Sequence, residues 1–248
     1  MQDTLAHTFV LIMALAPVWL ILITSRCVGM TPLQTILWAL SAMFCLFLWR
    51  GRLHGRLPRT ARGAILVANH RSSADSLIMQ MACFRPIGWL IAAEYMQIPV
   101  LGTMMRYLGA IPAGRSGNDT KATRNAIAHC KNGGLLGLFP EGRLNQTDEF
   151  MQSVRPGLVL IAARAGVPII PFHIDGGALG IKAYSPFLRR GRITAILGSP
   201  IHIEKPVDGP MEKSEIIKWT RKCVSAIAEL GGHDDFEATI AGRKWRPD

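Results

Sequence analysis

Two long apolar runs open the chain, LAHTFVLIMALAPVWLILIT (5–24) and TPLQTILWALSAMFCLFLW (31–49), with only SRCVGM between them. Each run approaches the ~20 residues that a helix needs to cross the hydrocarbon of a bilayer. So short a connection predicts an apolar helical hairpin over residues 1–49 that crosses a membrane twice or dips into one leaflet. A cleaved signal peptide fits less well, because MQDTLAH carries no Lys or Arg and a second run follows. A buried soluble hairpin is the bland alternative, since Thr, Gln, Ser and Pro interrupt the second run.

From Gly63 onward the period changes. Short apolar runs at 64–68, 87–92, 109–113, 135–139, 167–174 and 192–198 predict strands, and amphipathic stretches at 75–84, 97–108, 119–131, 156–165 and 212–230 predict helices. Strands alternating with such helices specify an α/β domain. We place it at 63–236, after a basic juxtamembrane segment at 50–62 and before a loosely held tail at 237–248.

Composition narrows the picture. With 49% hydrophobic residues and a mean hydropathy of +0.23, the 248-residue chain is not disordered. Its five cysteines are scattered and never spaced as C-x-x-C, which argues against a disulfide framework or a zinc site and for free thiols in a reducing compartment. No metal is expected. Net charge is +11, and because residues 1–49 hold only Arg26 and Asp3, the excess lies after Trp49. It begins with Arg50, Arg52, Arg56, Arg59 and Arg62, a cytoplasmic flank by the positive-inside rule and a surface for anionic headgroups. No aromatic residues interleave these arginines, so nucleic acid is not expected as a partner.

Candidate chemistry starts in VANHRSSADSL (67–77), where His70 follows an apolar run and Asp75 comes five residues later. On one helix those side chains would lie ~140° apart and never meet. With His70 in the turn after a strand and Asp75 in the first turn of the next helix, the aspartate can point back at the imidazole, with Ser72 or Ser73 as N-cap. Asp75 would fix the tautomer and leave the other ring nitrogen to take a proton. That spacing alone is common enough to arise by chance. FPEGR (139–143) closes another apolar run, and Pro140 and Gly142 mark a strand exit that also carries Glu141 and Arg143. If the two strands are parallel and close, both motifs line one crevice, and Arg143 offers a planar fork to phosphate oxygens.

Together, NHRSSAD and FPEGR resemble the glycerolipid acyltransferase family, and GAIPAGR (109–115) and VPIIPFHIDG (167–176) are similar to two further blocks of that family in its order. The resemblance implies a mixed sheet flanked by helices. It implies His70 as general base, Asp75 as its orienter, Arg115 and Arg143 as phosphate ligands, Glu141 and Gly142 as shapers of that pocket, and Pro171 as a structural proline. The expected reaction moves a fatty acyl group from acyl-CoA or acyl carrier protein to a lysophospholipid hydroxyl at a membrane, most simply to 1-acylglycerol-3-phosphate, with no cofactor. The commonest family pattern puts Arg after Phe-Pro-Glu-Gly-Thr; here Arg143 stands one position earlier and Leu144 follows. That form, followed by Asn145 and Thr147, is more similar to a branch acting on 2-acylglycerophosphoethanolamine. An inactive membrane lipid-binding protein is the alternative from another class. No role is expected for the other histidines or for Cys83 and Cys130, and G-x-S-x-G, G-x-x-x-x-G-K and G-x-G-x-x-G are all absent.

Overall fold

The structure, a computed structural model, describes residues 2–57, 62–114, 120–176, 185–204 and 211–241. Among these, the strands are β1 (Arg52–His54), β2 (Ala64–Ala68), β3 (Ile87–Ala92), β4 (Ile111–Ala113), β5 (Leu135–Leu138), β6 (Ile169–Gly176) and β7 (Ile193–Leu197). The helices are α1 (Gln2–Val28), α2 (Pro32–Met43), α3 (Asp75–Met81), α4 (Leu101–Tyr107), α5 (Thr120–Lys131), α6 (Gly157–Ala165) and α7 (Lys213–Leu230). All seven strands join one sheet in the order β1-β7-β6-β2-β5-β3-β4. Neighbours are parallel except β6 and β7, so the sheet is mixed, as expected.

β2 lies at the centre and is buried along its whole length, as a strand covered on both faces must be. Ala64, Leu66 and Ala68 face a core shared with α3 and with Cys45 and Trp49. Ile65 and Val67 face the opposite core, built with residues of α5, α6 and α7. This alternation follows from the two-residue period of a strand.

The N-terminal runs form a bent pair. Among the described residues no single helix is long and apolar enough to cross a membrane; Leu15–Val28 and Pro32–Leu48 meet the criteria together, bent by 98°. Thr31 and Gln34 make a reciprocal capping box at the start of α2. The end of the second run also enters the core of the α/β domain. Phe44–Leu48 is a π-helix, which exposes Leu46 and Phe47 while burying Cys45 and Trp49 in the α/β core.

Two other stretches differ from expectation. The basic segment at 50–62 contains β1, which pairs with β7; its exposed Arg52 and His54 make it illegible as a strand but suit a sheet edge. Residues of the expected tail are held, since Val154 and Ile240 form a bridge and Ala241 N–H donates to Val154 O at 2.9 Å.

Trp49 joins the helix pair to the domain: fully buried, it donates from Nε1 to Pro186 O at 3.0 Å, while its carbonyl accepts from Ile193 N–H at 3.0 Å. Trp49→Ala removes a large core side chain and strands the Pro186 carbonyl. We expect a loss of about 3–5 kcal/mol in chemical denaturation of the detergent-solubilised protein.

Candidate active site

The chain leaves β2 at Ala68 and turns through Asn69 and His70. Asn69 is buried and acts as a substitute strand partner for the end of β6, donating from Nδ2 to Ile174 O at 2.7 Å and accepting from Ile174 N–H at 2.8 Å. The turn is closed by Asp75, the first residue of α3 and 1% exposed. Its Oδ2 accepts from His70 Nδ1 at 3.0 Å and from the backbone N–H groups of Arg71 and Ser72, each at 2.8 Å. Oδ1 is buried with no hydrogen-bond partner among the described residues, so all three donors converge on one oxygen.

An ionised carboxylate only accepts, which assigns the proton of this contact to His70 Nδ1 and leaves Nε2 with a lone pair. The ring plane is set by stacking: His70 lies 3.7 Å from Phe139, centroid to centroid and 9° from parallel, and Trp89 stacks on Phe139 at 5.3 Å. Trp89 fits because Gly137 has no side chain; a Cβ there would come within 2.5 Å of the indole. A glycine inside a strand marks this kind of approach.

The expected serine N-cap is not at the helix start. The N-cap residue is Ala74, without a side-chain bond, while Ser72 Oγ accepts from Ala74 N–H at 3.2 Å in the turn ahead. Asp75 already accepts the backbone donors of that turn.

FPEGR emerges next to this turn because β5 pairs parallel with β2, Val67 opposite Leu138. Glu141 is fully buried. Its Oε1 accepts from His70 N–H and its Oε2 from Gln152 N–H, both at 2.9 Å. Asn145 N–H donates to His70 O at 2.6 Å, so the backbone of His70 is held from both sides. Burial pushes the Glu141 carboxyl up to about 7 against the pull of its two backbone donors. Gly142 follows at φ 70°, a left-handed turn that favours glycine. Arg143 donates from Nε to Gln152 Oε1 at 2.6 Å. Arg155 flanks the same turn, its Nε 3.5 Å from where a Gly142 Cβ would lie. Its ordinary value is lowered by burial and then by the charge of Arg143. The turn after Glu141 thus carries two guanidinium groups close enough to repel each other.

The structure therefore brings together His70, Asp75, Glu141, Gly142 and Arg143. Arg115 lies outside the described residues. Pro171 sits in β6 opposite Val67. Asn69, Gln152 and Arg155 escaped the sequence reading, in which Asn145 figures only with Thr147 as a mark of the family branch; of the three, only Asn69 had a usable signal, a side chain able to bond backbone at a strand end beside His70. His129 and His173 have structural surroundings: His129 Nε2 lies 2.9 Å from Leu135 O, and His173 is buried in a stack with Phe150. Burial raises the thiols of Cys83 to about 12 and Cys130 to about 11, well away from a reactive thiolate. Among the described residues no three His, Cys, Asp or Glu side chains gather as a metal-ligand set.

Residues 50–175, just over half of the chain, match the family model described as Acyltransferase. The chain belongs to this family, as the glycerolipid acyltransferase resemblance of its motifs predicts. A chloroplastic 1-acyl-sn-glycerol-3-phosphate acyltransferase of Arabidopsis thaliana is 26% identical over 154 residues, 60% of this chain and 42% of that protein. The 1-acyl-sn-glycerol-3-phosphate acyltransferase of Bacillus subtilis is 22% identical over 141 residues, 56% of this chain and 67% of its relative. The chain thus spans less than half the length of the plant relative. The fold matches the crystal structure of the 1-acyl-sn-glycerophosphate acyltransferase PlsC from Thermotoga maritima with a TM-score of 0.62, at 19% identity and covering 93% of this chain and 95% of that one.

Glu141 gives the chain a pH signature. Its carboxyl titrates at about 7 in the fold against an ordinary 4.5, so between those values the folded state holds a proton that the unfolded chain has lost. The contribution of this group to stability therefore falls as pH rises from about 4.5 to about 7, by on the order of 3 kcal/mol. Denaturation across that window should show the slope, and Glu141→Gln should remove it.

Proposed function

We propose that the protein transfers a fatty acyl group from a thioester donor, acyl-CoA or acyl carrier protein, to the free hydroxyl of 1-acylglycerol-3-phosphate, giving phosphatidic acid. The observation that carries this reading is the 3.0 Å bond from His70 Nδ1 to Asp75 Oδ2, which keeps Nε2 for the substrate proton, on a turn that Glu141 ties to the FPEGR loop carrying Arg143. Nε2 takes the hydroxyl proton as the oxygen attacks the thioester carbonyl. The tetrahedral intermediate then expels the thiolate, which recovers the proton from the imidazolium, and the ester is left on the acceptor. No covalent enzyme intermediate is involved.

The acceptor phosphate is held by Arg143, and by Arg115 as the family resemblance implies, which places the hydroxyl at the base. Glu141 and Asn145 hold the backbone on either side of the imidazole, so the base does not have to be ordered during the reaction. The earlier position of Arg143 supports a second acceptor, 2-acylglycerophosphoethanolamine.

The bent apolar pair attaches the enzyme to a bilayer from one side. Supporting this are the 98° bend, the exposed Trp19, Leu20, Leu40 and Phe47, and the inward packing of Thr35, Cys45 and Trp49. The arginines that begin at Arg50 support a crevice on the cytoplasmic side.

The test offers purified protein a panel of lysophospholipids with labelled acyl-CoA or acyl carrier protein and identifies the product by mass. We expect phosphatidic acid, and transfer to no lysolipid at all overturns the reading. His70→Ala should lower turnover about 10²–10⁴-fold while membrane association stays intact. Arg143→Ala should raise the acceptor KM roughly tenfold to a hundredfold and leave the donor KM nearly unchanged.

A further inference from the structure

The α/β domain has an exposed apolar corner that neither the fold nor the proposed chemistry uses. Between Glu94 and Arg106 the sequence YMQIPVLGTMM carries no charge. A short 3₁₀ turn, Ala93–Gln97, leads into it and α4 leads out. Val100 is 83% exposed, and Tyr95, Ile98, Met104 and Tyr107 are exposed with it. Single exposed apolar residues are ordinary on a protein in water, but a contiguous set marks an interaction surface.

The corner is built rather than loose. Arg106 reaches back with Nη1 to Met96 O at 2.9 Å and Nη2 to Thr103 Oγ1 at 3.2 Å. Gly102 N–H donates to Ile98 O at 2.8 Å, and a Cβ on Gly102 would fall 2.2 Å from Met96 O, so only glycine permits this closure. Val100 adopts φ 63°, ψ −58°, a conformation that a β-branched residue rarely takes. The local backbone is strained in a way that holds an apolar side chain outside the core.

Its neighbour says what covers it. The Tyr107 hydroxyl is hydrogen-bonded to that of Thr31, the residue that caps α2. The corner therefore adjoins the turn of the bent pair, beyond which Leu33, Ile36 and Leu40 are exposed in the same way. Tyrosine at both edges, Tyr95 and Tyr107, suits a boundary between hydrocarbon and headgroups. Arg106, the only charge between Glu94 and Lys121 apart from residues 115–119, has the sign that anionic lipid attracts.

We infer that this corner is a second bilayer contact, in which Ile98 and Val100 enter the acyl region beside the bent pair and Tyr95 and Tyr107 mark the interface. The inference rests on the one-sided membrane attachment proposed above. It adds that the α/β domain itself touches lipid, which fixes the tilt of the crevice as well as its depth.

The test uses the full chain with Cys27→Ser, since the other four cysteines are buried. Single nitroxide labels are placed through Ile98→Cys or Val100→Cys, with Trp19→Cys on α1 and Lys121→Cys on α5 as references. In vesicles of phosphatidylethanolamine and phosphatidylglycerol, each label's collision rate with oxygen is compared with that of a water-soluble nickel chelate. We expect the oxygen-to-nickel ratio at positions 98 and 100 to rise several-fold above that at 121, toward the value at 19. A lipid signature at 19 with a water signature at 98 and 100 overturns the corner contact and leaves the membrane attachment standing. A water signature at all four positions overturns both.

Discussion

One carboxylate oxygen organises this protein. Asp75 Oδ2 collects the imidazole N–H of His70 and two successive backbone N–H groups, those of Arg71 and Ser72, at 2.8–3.0 Å. A buried carboxylate is costly unless it is hydrogen-bonded, and charge-assisted bonds from three donors offset that cost. The position helps as well, because Asp75 begins α3, where the aligned peptide dipoles favour negative charge. The same oxygen thus shapes the turn, starts the helix and sets the histidine tautomer. Removing it would disturb folding and chemistry together, which makes Asp75 a poor position at which to separate them.

Around that oxygen, neighbouring strands are tied to the turn by side chains that take over where the sheet stops. Asn69 continues the pairing of β2 with β6, and Glu141 reaches from the end of β5 to the N–H of His70. The parallel register makes both ties possible, because it delivers the carboxyl ends of β2, β5 and β6 to the same edge. Glu141 is bonded at both oxygens and still held up toward neutrality by burial. Its carboxyl is therefore a structural brace whose charge is expensive. Two acidic residues bonded to one histidine have different tasks because one gathers the imidazole and two backbone donors on a single oxygen and the other spans two backbone N–H groups from separate segments.

Much of this was legible from residues alone. The six runs of apolar residues from 64 to 198 each contain a strand, and the signature is most continuous in β2, which is covered on both faces. His70, Asp75, Glu141 and Arg143 came together because short motifs at strand exits encode their own local geometry. What escaped has physical reasons. β1 is three residues long and carries Arg52 and His54 outward, so its signature is charge. Helix α4 begins at Leu101 rather than 97, since Pro99 and the positive φ of Val100 interrupt the turn ahead of it. Trp49 read as the end of a membrane run because hydropathy does not distinguish lipid from core. Asn145, Gln152 and Arg155 reach the site through a loop whose path depends on bonds such as Arg71 to the carbonyls of Thr147 and Glu149, which no spacing in the sequence encodes.

The helix pair and the histidine are linked by a single short element. Trp38 on α2 donates from its indole to Cys83 O at 3.0 Å and lies 5.6 Å from Phe84, just past the end of α3. Asp75 stands at the other end of that helix. Seven residues of helix span about 10 Å, so the point where α2 is fastened and the point where the imidazole is held are separated by little more than the headgroup layer of a bilayer leaflet. Gln80, in the last turn of α3, secures the exit from the helix by bonding Arg85 O and Ile87 N–H, which leaves little play between the helix and β3. With the pair seated in one leaflet, a rigid spacer of this length would hold the base at the depth where a glycerol hydroxyl lies. The acceptor could then react without leaving the membrane, and the burial of Trp49 and the docking of Trp38 would serve catalysis as well as stability.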